Sequence, residues 1–134
     1  MIKSSFQDSL KATIDERRAE RDAQEKVRLS FLDAWQEVRD SVIFAVFREA
    51  ANLLSAEGFV AIHGNENSNV SQLRVERSGT LRFTADSARL RVVCEELPAQ
   101  RKRVDPEPPE DFEPSALTRE QVERKVQTFV KHFA

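Results

Sequence analysis

The chain has 134 residues, and its 21 basic and 23 acidic side chains leave a net charge of −2. So even a balance gives no strong field for gathering nucleic acid or an anionic membrane, and no run approaches the ~20 apolar residues that span a bilayer. A lone cysteine, Cys94, excludes an internal disulfide, and with an N-terminus lacking a secretory apolar core it leads to the expectation of a reducing, cytoplasmic setting.

The first glycine is Gly58 and the first proline Pro98, so the whole segment before Gly58 is free of helix breakers and is expected to be helical. Ser5 and Asp8 fit a capping box. Ile2, Phe6, Leu10 and Ile14 recur every fourth residue as one apolar stripe. The stretch 15–26, DERRAERDAQEK, is almost wholly charged, with the opposite-sign pairs Arg18–Asp22, Arg21–Glu25 and Asp22–Lys26 at helical spacing. From Phe31 the apolar pattern resumes through Trp35, Val38, Val42, Val46 and Leu53. An unbroken helix over this segment would be roughly 80 Å long at ~1.5 Å per residue, far beyond the ~14 Å radius of gyration of a domain this size. Residues 1–30 are therefore expected to form either a helical arm or the first helix of a hairpin.

Beyond Gly58 the period changes from 3.6 to 2. GFVAIHG, VSQLRVER, TLRFT and ARLRVVCEE read as four short antiparallel strands, with Ser78-Gly79 as a two-residue hairpin turn. Leu73, Val75, Leu81, Phe83, Leu90, Val92 and Cys94 fall on one face. Arg74, Arg82, Arg89 and Arg91 fall on the other. Residues 31–96 are thus the expected core, a helix plus a four-stranded meander, and residues 97–116, which hold all five prolines, an extended linker. Thr118 with Gln121 forms a capping box and Leu117 with Val122 a hydrophobic staple. They open a last helix over residues 117–134 with Val122, Val126, Phe129, Val130 and Phe133 on one face. The expected fold class is α+β, a single domain with its helices on one side of the sheet.

The run Val42 to Phe47 is apolar without a break. At 100° per residue, the apolar positions of residues 42–54 cover an arc of roughly 200°, about twice what an ordinary surface helix buries. The last helix, the N-terminal stripe folded back, or a second copy of the chain could cover the excess. Self-association is the expectation, as a homodimer with coiled-coil character, through Trp35, Ile43, Phe44, Phe47, Phe129 and Phe133. A different protein partner is the alternative.

Candidate chemistry is sparse, and no enzyme activity, metal or cofactor is expected. Asn65, Asn67, Asn69, Ser71 and Glu76 imitate the oxygen spacing of a calcium loop, but the leading Asp and the sixth-position Gly are missing. His63, His132 and Cys94 have no paired metal-ligand spacing. Cys94 reads as a small core residue. Arg74, Arg82, Arg89 and Arg91 could hold an anion or a nucleic acid backbone, yet no outward aromatic stacks beside them, so nucleic acid is not expected. The basic run at residues 100–103 is followed by acidic residues, and the PxxP at residues 106–109 suits a linker. A protein-interaction or assembly module is the leading reading. Anion binding by the arginine face is the first alternative and small-ligand binding the second.

Overall fold

A computed structural model describes residues 5–99 and 105–133. Ile2 and the basic run 100–103 lie outside the described residues.

Helix α1 (Ser5–Val38) passes through one turn of π-helix (Arg39–Ile43) into α2 (Phe44–Ala56) with no change of direction in φ and ψ: Val38, Ile43 and Phe44 are all right-handed helical. The absence of breakers before Gly58 thus produces one continuous rod, and the arm rather than the hairpin is realised. The π turn brings the buried face of α2 into line with that of α1. Buried positions run Phe31, Trp35, Val38 and then Ile43, Val46, Phe47, Ala51, Leu54. In a straight α-helix the second set would be rotated by about 100° from the first, one residue's worth. A π turn takes up one extra residue, with Phe44 N–H donating to the Arg39 carbonyl five positions back. It thereby rotates the α2 face onto the line of α1. Within this turn the Ser41 hydroxyl donates to the Glu37 carbonyl at 2.6 Å, a local partner for backbone whose usual ladder is interrupted.

At the far end of α2, Gly58 takes φ +95° and the chain reverses into the sheet. The strands are β1 (Ala61–Asn67), β2 (Val70–Val75), β3 (Gly79–Asp86), β4 (Arg91–Pro98) and β5 (Glu110–Phe112), antiparallel neighbours in that order. The fold is α+β as expected, with one strand more. Part of the proline-rich stretch becomes β5, pairing Phe112 with Val92 and setting its ring 6.4 Å from that of Phe83. The second hairpin also differs. Val75 pairs with Gly79, so Glu76, Arg77 and Ser78 form a three-residue loop, with Arg77 at φ 68° and Gly79 at φ 147°. Leu90 and Arg89 sit in the β3–β4 turn rather than in a strand, Leu90 at φ 56°.

After a short 3-10 turn (Pro114–Ala116), α3 (Arg119–Phe133) starts on the expected capping box. Thr118 N–H donates to Gln121 Oε1 at 2.9 Å, and Gln121 N–H to Thr118 Oγ1 at 3.2 Å. Leu117 and Val122 are both buried, as a staple requires. Val122, Val126, Phe129 and Phe133 pack onto the helix side of the sheet, against the same cluster as Phe47, Leu73, Leu81, Phe83 and Val92.

This core answers the covering problem within one chain. Of the six residues expected at a helical interface, Trp35, Ile43, Phe47, Phe129 and Phe133 are fully buried in the core and only Phe44 reaches solvent. Re-phasing by the π turn lets one small sheet and α3 shelter them. Trp35 also donates its indole N–H to the Ser68 carbonyl at 2.8 Å, shared with Arg39, which ties the base of α1 to the β1–β2 turn.

Candidate functional site

Three regions carry the residues from which a function could be built: the arginine-bearing sheet face, the few buried titratable groups, and the apolar side chains left at the surface.

Register places Arg74 opposite Thr80, Arg82 opposite Gln72 and Glu95, and Arg91 opposite Asp86. All three arginines lie on the sheet face away from the helices, as the alternation predicts. Arg89 does not join them, because it belongs to the turn. Most of this charge is locally answered. Arg82 lies 3.7 Å from Glu66 and donates to Gln72 Oε1, Arg91 pairs with Glu113 at 3.2 Å, and Arg89 pairs with Asp111. Arg74 alone of the four makes no ion pair among the described residues. The acidic residues that neutralise the face come largely from the stretch after β4, which sequence alternation alone does not place there.

The buried titratable groups are dispersed. The Cys94 thiol, under the helices on β4, is pushed up to about 12 by burial, so it stays protonated and inert. Lys125 crosses from α3 to the sheet edge, pairing with Glu110 and lying 5.9 Å over the Phe112 ring. Burial opposes its charge, but the Glu110 carboxylate and its acidic neighbours outweigh this and hold the ammonium above its ordinary value. Glu96 is buried on the helix side of β4. Its carboxylate lies 3.6 Å from His132 Nδ1 and accepts the Glu107 N–H at 3.4 Å. This couples the end of α3 to the chain leading into β5. His63 sits apart, on β1, edge-on to Phe44 with ring centroids 5.1 Å apart. His63, His132 and Cys94 therefore do not converge, and among the described residues no cluster of three or more metal-ligating side chains occurs. The Asn-rich stretch is a hairpin, with Asn67 Oδ1 accepting the Asn69 N–H at 2.8 Å. Surface hollows of about 240 Å³ between α2 and α3 and about 500 Å³ between α1 and the β3–β4 turn are open to solvent.

The third region is the most extensive. Every residue from 5 to 30 of α1 is exposed, a rod of roughly 40 Å along which Phe6, Leu10 and Ile14 are 70%, 46% and 43% accessible. On the domain itself, Leu53 of α2 is 64% accessible, Val60 just before β1 is 55% and Ile62 in β1 is 62%, with Phe44 and Phe59 partly exposed. Composition could have pointed to the arm. The exposed β1 edge escaped notice because the pattern of a single strand does not reveal which strand lies outermost.

No protein-family model matches this chain, and no curated protein or solved structure matches it either. No helix among the described residues is long and apolar enough to cross a membrane.

Proposed function

We propose that this chain is a non-enzymatic assembly module that associates with copies of itself. The observation that carries the reading is that the core closes within one chain and still leaves apolar side chains in water: Phe6, Leu10 and Ile14 on the arm, and Val60 and Ile62 at the start of the β1 edge. Burying a side chain of this size is worth ~1.5–3 kcal/mol, and contiguous exposed apolar tracts mark contact surfaces. The dispersal of His63, His132 and the protonated Cys94 over separate elements supports a binding rather than a chemical role.

Light scattering coupled to size exclusion at about 50 µM tests it. Twice the chain mass of 15.3 kDa, or more, is expected. A strictly monomeric chain overturns the proposal.

A further inference from the structure

The two edges of the sheet are built to opposite rules. At β5 the edge is three residues long, carries Glu110 and Asp111, and is flanked by Pro108, Pro109 and Pro114. Short length, charge and proline are the devices by which sheets discourage further pairing. At β1 the edge is seven residues long, and from Gly58 to Asn65 it holds no charged residue and no proline. Its one irregularity comes late, between Asn65 and Asn67. The Glu76 N–H donates to the Val60 carbonyl at 2.9 Å, so Val60, Ile62 and Gly64 direct their backbone groups toward β2. By the antiparallel alternation, Ala61, His63 and Asn65 direct theirs outward. Among the described residues no strand pairs with that side.

We propose that two copies of this chain join along β1, antiparallel about a two-fold axis at Ala61, so that one sheet runs through both. The proposal rests on the self-association reading and names the surface and register that perform it. Four features of the edge fit a second copy. With Ala61 on the axis, Ile62 of each copy stands opposite Val60 of the other on the open sheet face, covering the two most exposed apolar side chains along this edge with each other. On the helix side, Phe59 meets His63 of the second copy, beside which Phe44 already lies. Behind Ile62 stands Arg74 on β2, and behind Val60 stands Glu76 at the start of the β2–β3 loop, neither of which makes an ion pair among the described residues. Across the axis each row therefore reads Arg74, Ile62, Val60, Glu76, with opposite charges at its two ends. Finally, α2 packs on the helix side of β1, with Phe44 beside His63, and Phe47 reaches as far as Phe83 on β3, so it covers the sheet face and not the outward backbone groups of the edge. Centring the axis on His63 instead would set Val60 against Glu66, and this register is excluded by the mismatch.

The experiment combines an edge variant, an arm variant and a cysteine pair. Ile62→Lys places two ammonium groups beside the axis and is expected to weaken association at least tenfold, giving monomer at about 50 µM with an unchanged circular dichroism spectrum. Leu10→Ser with Ile14→Ser is expected to leave the dimer intact. Ala61→Cys should form a disulfide-linked dimer under mild oxidation, because facing residues of a hydrogen-bonded antiparallel pair stand ~5.5 Å apart at Cα. Buried Cys94 should not compete. Ser115→Cys, exposed near the other edge, is the control. If the chain dimerises but only the arm variant dissociates it, or if Ala61→Cys cross-links no faster than Ser115→Cys, the edge inference falls and the self-association reading survives. A monomeric parent chain, whose edge would then be open to an extended segment of another protein, overturns both.

Discussion

Deleting Asp40 should be nearly silent, although it removes a residue from the middle of a continuous helix. Without Asp40 the π turn becomes an ordinary α turn, and the buried residues fall into one uninterrupted series. Ile43 moves to four positions after Val38, Val46 and Phe47 follow at three and four more, and Leu54 completes the line, all at the spacing of a single helix face. Asp40 is itself exposed, and its partner Arg39, whose side chain is mostly covered, also donates to the Ser68 carbonyl and so does not depend on Asp40 alone. The expected cost is within about 1 kcal/mol. Deleting Glu49, equally exposed, has no bulge to absorb it. Ala51 and Leu54 would swing about 100° away from the core that Val46 and Phe47 occupy. Losing a buried leucine from a core costs roughly 2–5 kcal/mol, and the melting temperature should fall by at least ~10 °C. Urea unfolding of the two deletions, read by circular dichroism and Trp35 fluorescence, makes the comparison. If deletion of Asp40 destabilises as much as deletion of Glu49, the π turn is not a single-residue insertion that aligns two faces, and the account of the core is wrong.

Gly79→Ala should destabilise by about 2 kcal/mol or more in urea melts, because a Cβ there would lie 2.5 Å from the Leu97 carbonyl oxygen at a φ of +147°. Gly64→Ala, with open space around the added methyl, should stay within ~0.5 kcal/mol. Stability should also fall as pH rises from 9 toward about 12, because the unfolded Cys94 thiol ionises near 9.0 while the folded one, raised by burial, keeps its proton to about 12. The folded state then holds more protons across that window, and the term, on the order of 4 kcal/mol at most, is present below pH 9 and lost above it. Cys94→Ala should flatten that limb of the pH–stability curve, and an unchanged slope would show that the thiol is not the group responsible.

Local signals in this sequence were the readable ones. The capping box at Thr118 and Gln121 is a contact between residues three apart, and the structure makes both of its hydrogen bonds. Alternation in Leu73, Val75, Leu81 and Phe83 is equally local and correctly sorted the two sheet faces, including Arg74, Arg82 and Arg91. One failure depended on partners distant in sequence, the others on local backbone geometry. Glu110 to Phe112 has the composition of a linker and becomes a strand only because Val92, Phe83 and Lys125 are waiting beside it. The Ser78-Gly79 dipeptide suggested a tighter turn than the three-residue loop that Arg77 permits by adopting positive φ. The apolar arc of residues 42–54 lies almost wholly within α2, so the π turn, which no composition rule announces, aligns that face with α1 but barely narrows it. Its margins, Phe44 and Leu53, stay at the surface, and the rest is shared between the sheet and α3. Requiring cover for the whole arc led to an interface assigned to Trp35, Ile43, Phe47, Phe129 and Phe133, all of which belong to the core of one chain.

The continuity of the helix also accounts for the arm. An isolated helix of this composition would have to nucleate itself, an unfavourable step with a weight of about 10⁻³. Here Phe31, Trp35 and Val38 are anchored in the core, so the nucleus is supplied by the domain and each residue toward the N-terminus only extends it. The extension is rich in strong helix formers and carries pairs such as Arg17 with Glu20 and Glu25 with Arg28. At 100° per residue, Phe6 and Phe31 differ by only about 20° around the axis, so the exposed stripe is the outward continuation of the line that becomes the core. Residues 15–26 interrupt that line with charge, which keeps the arm from folding back onto its own domain and leaves Phe6, Leu10 and Ile14 turned outward on a rod whose orientation the core has already fixed.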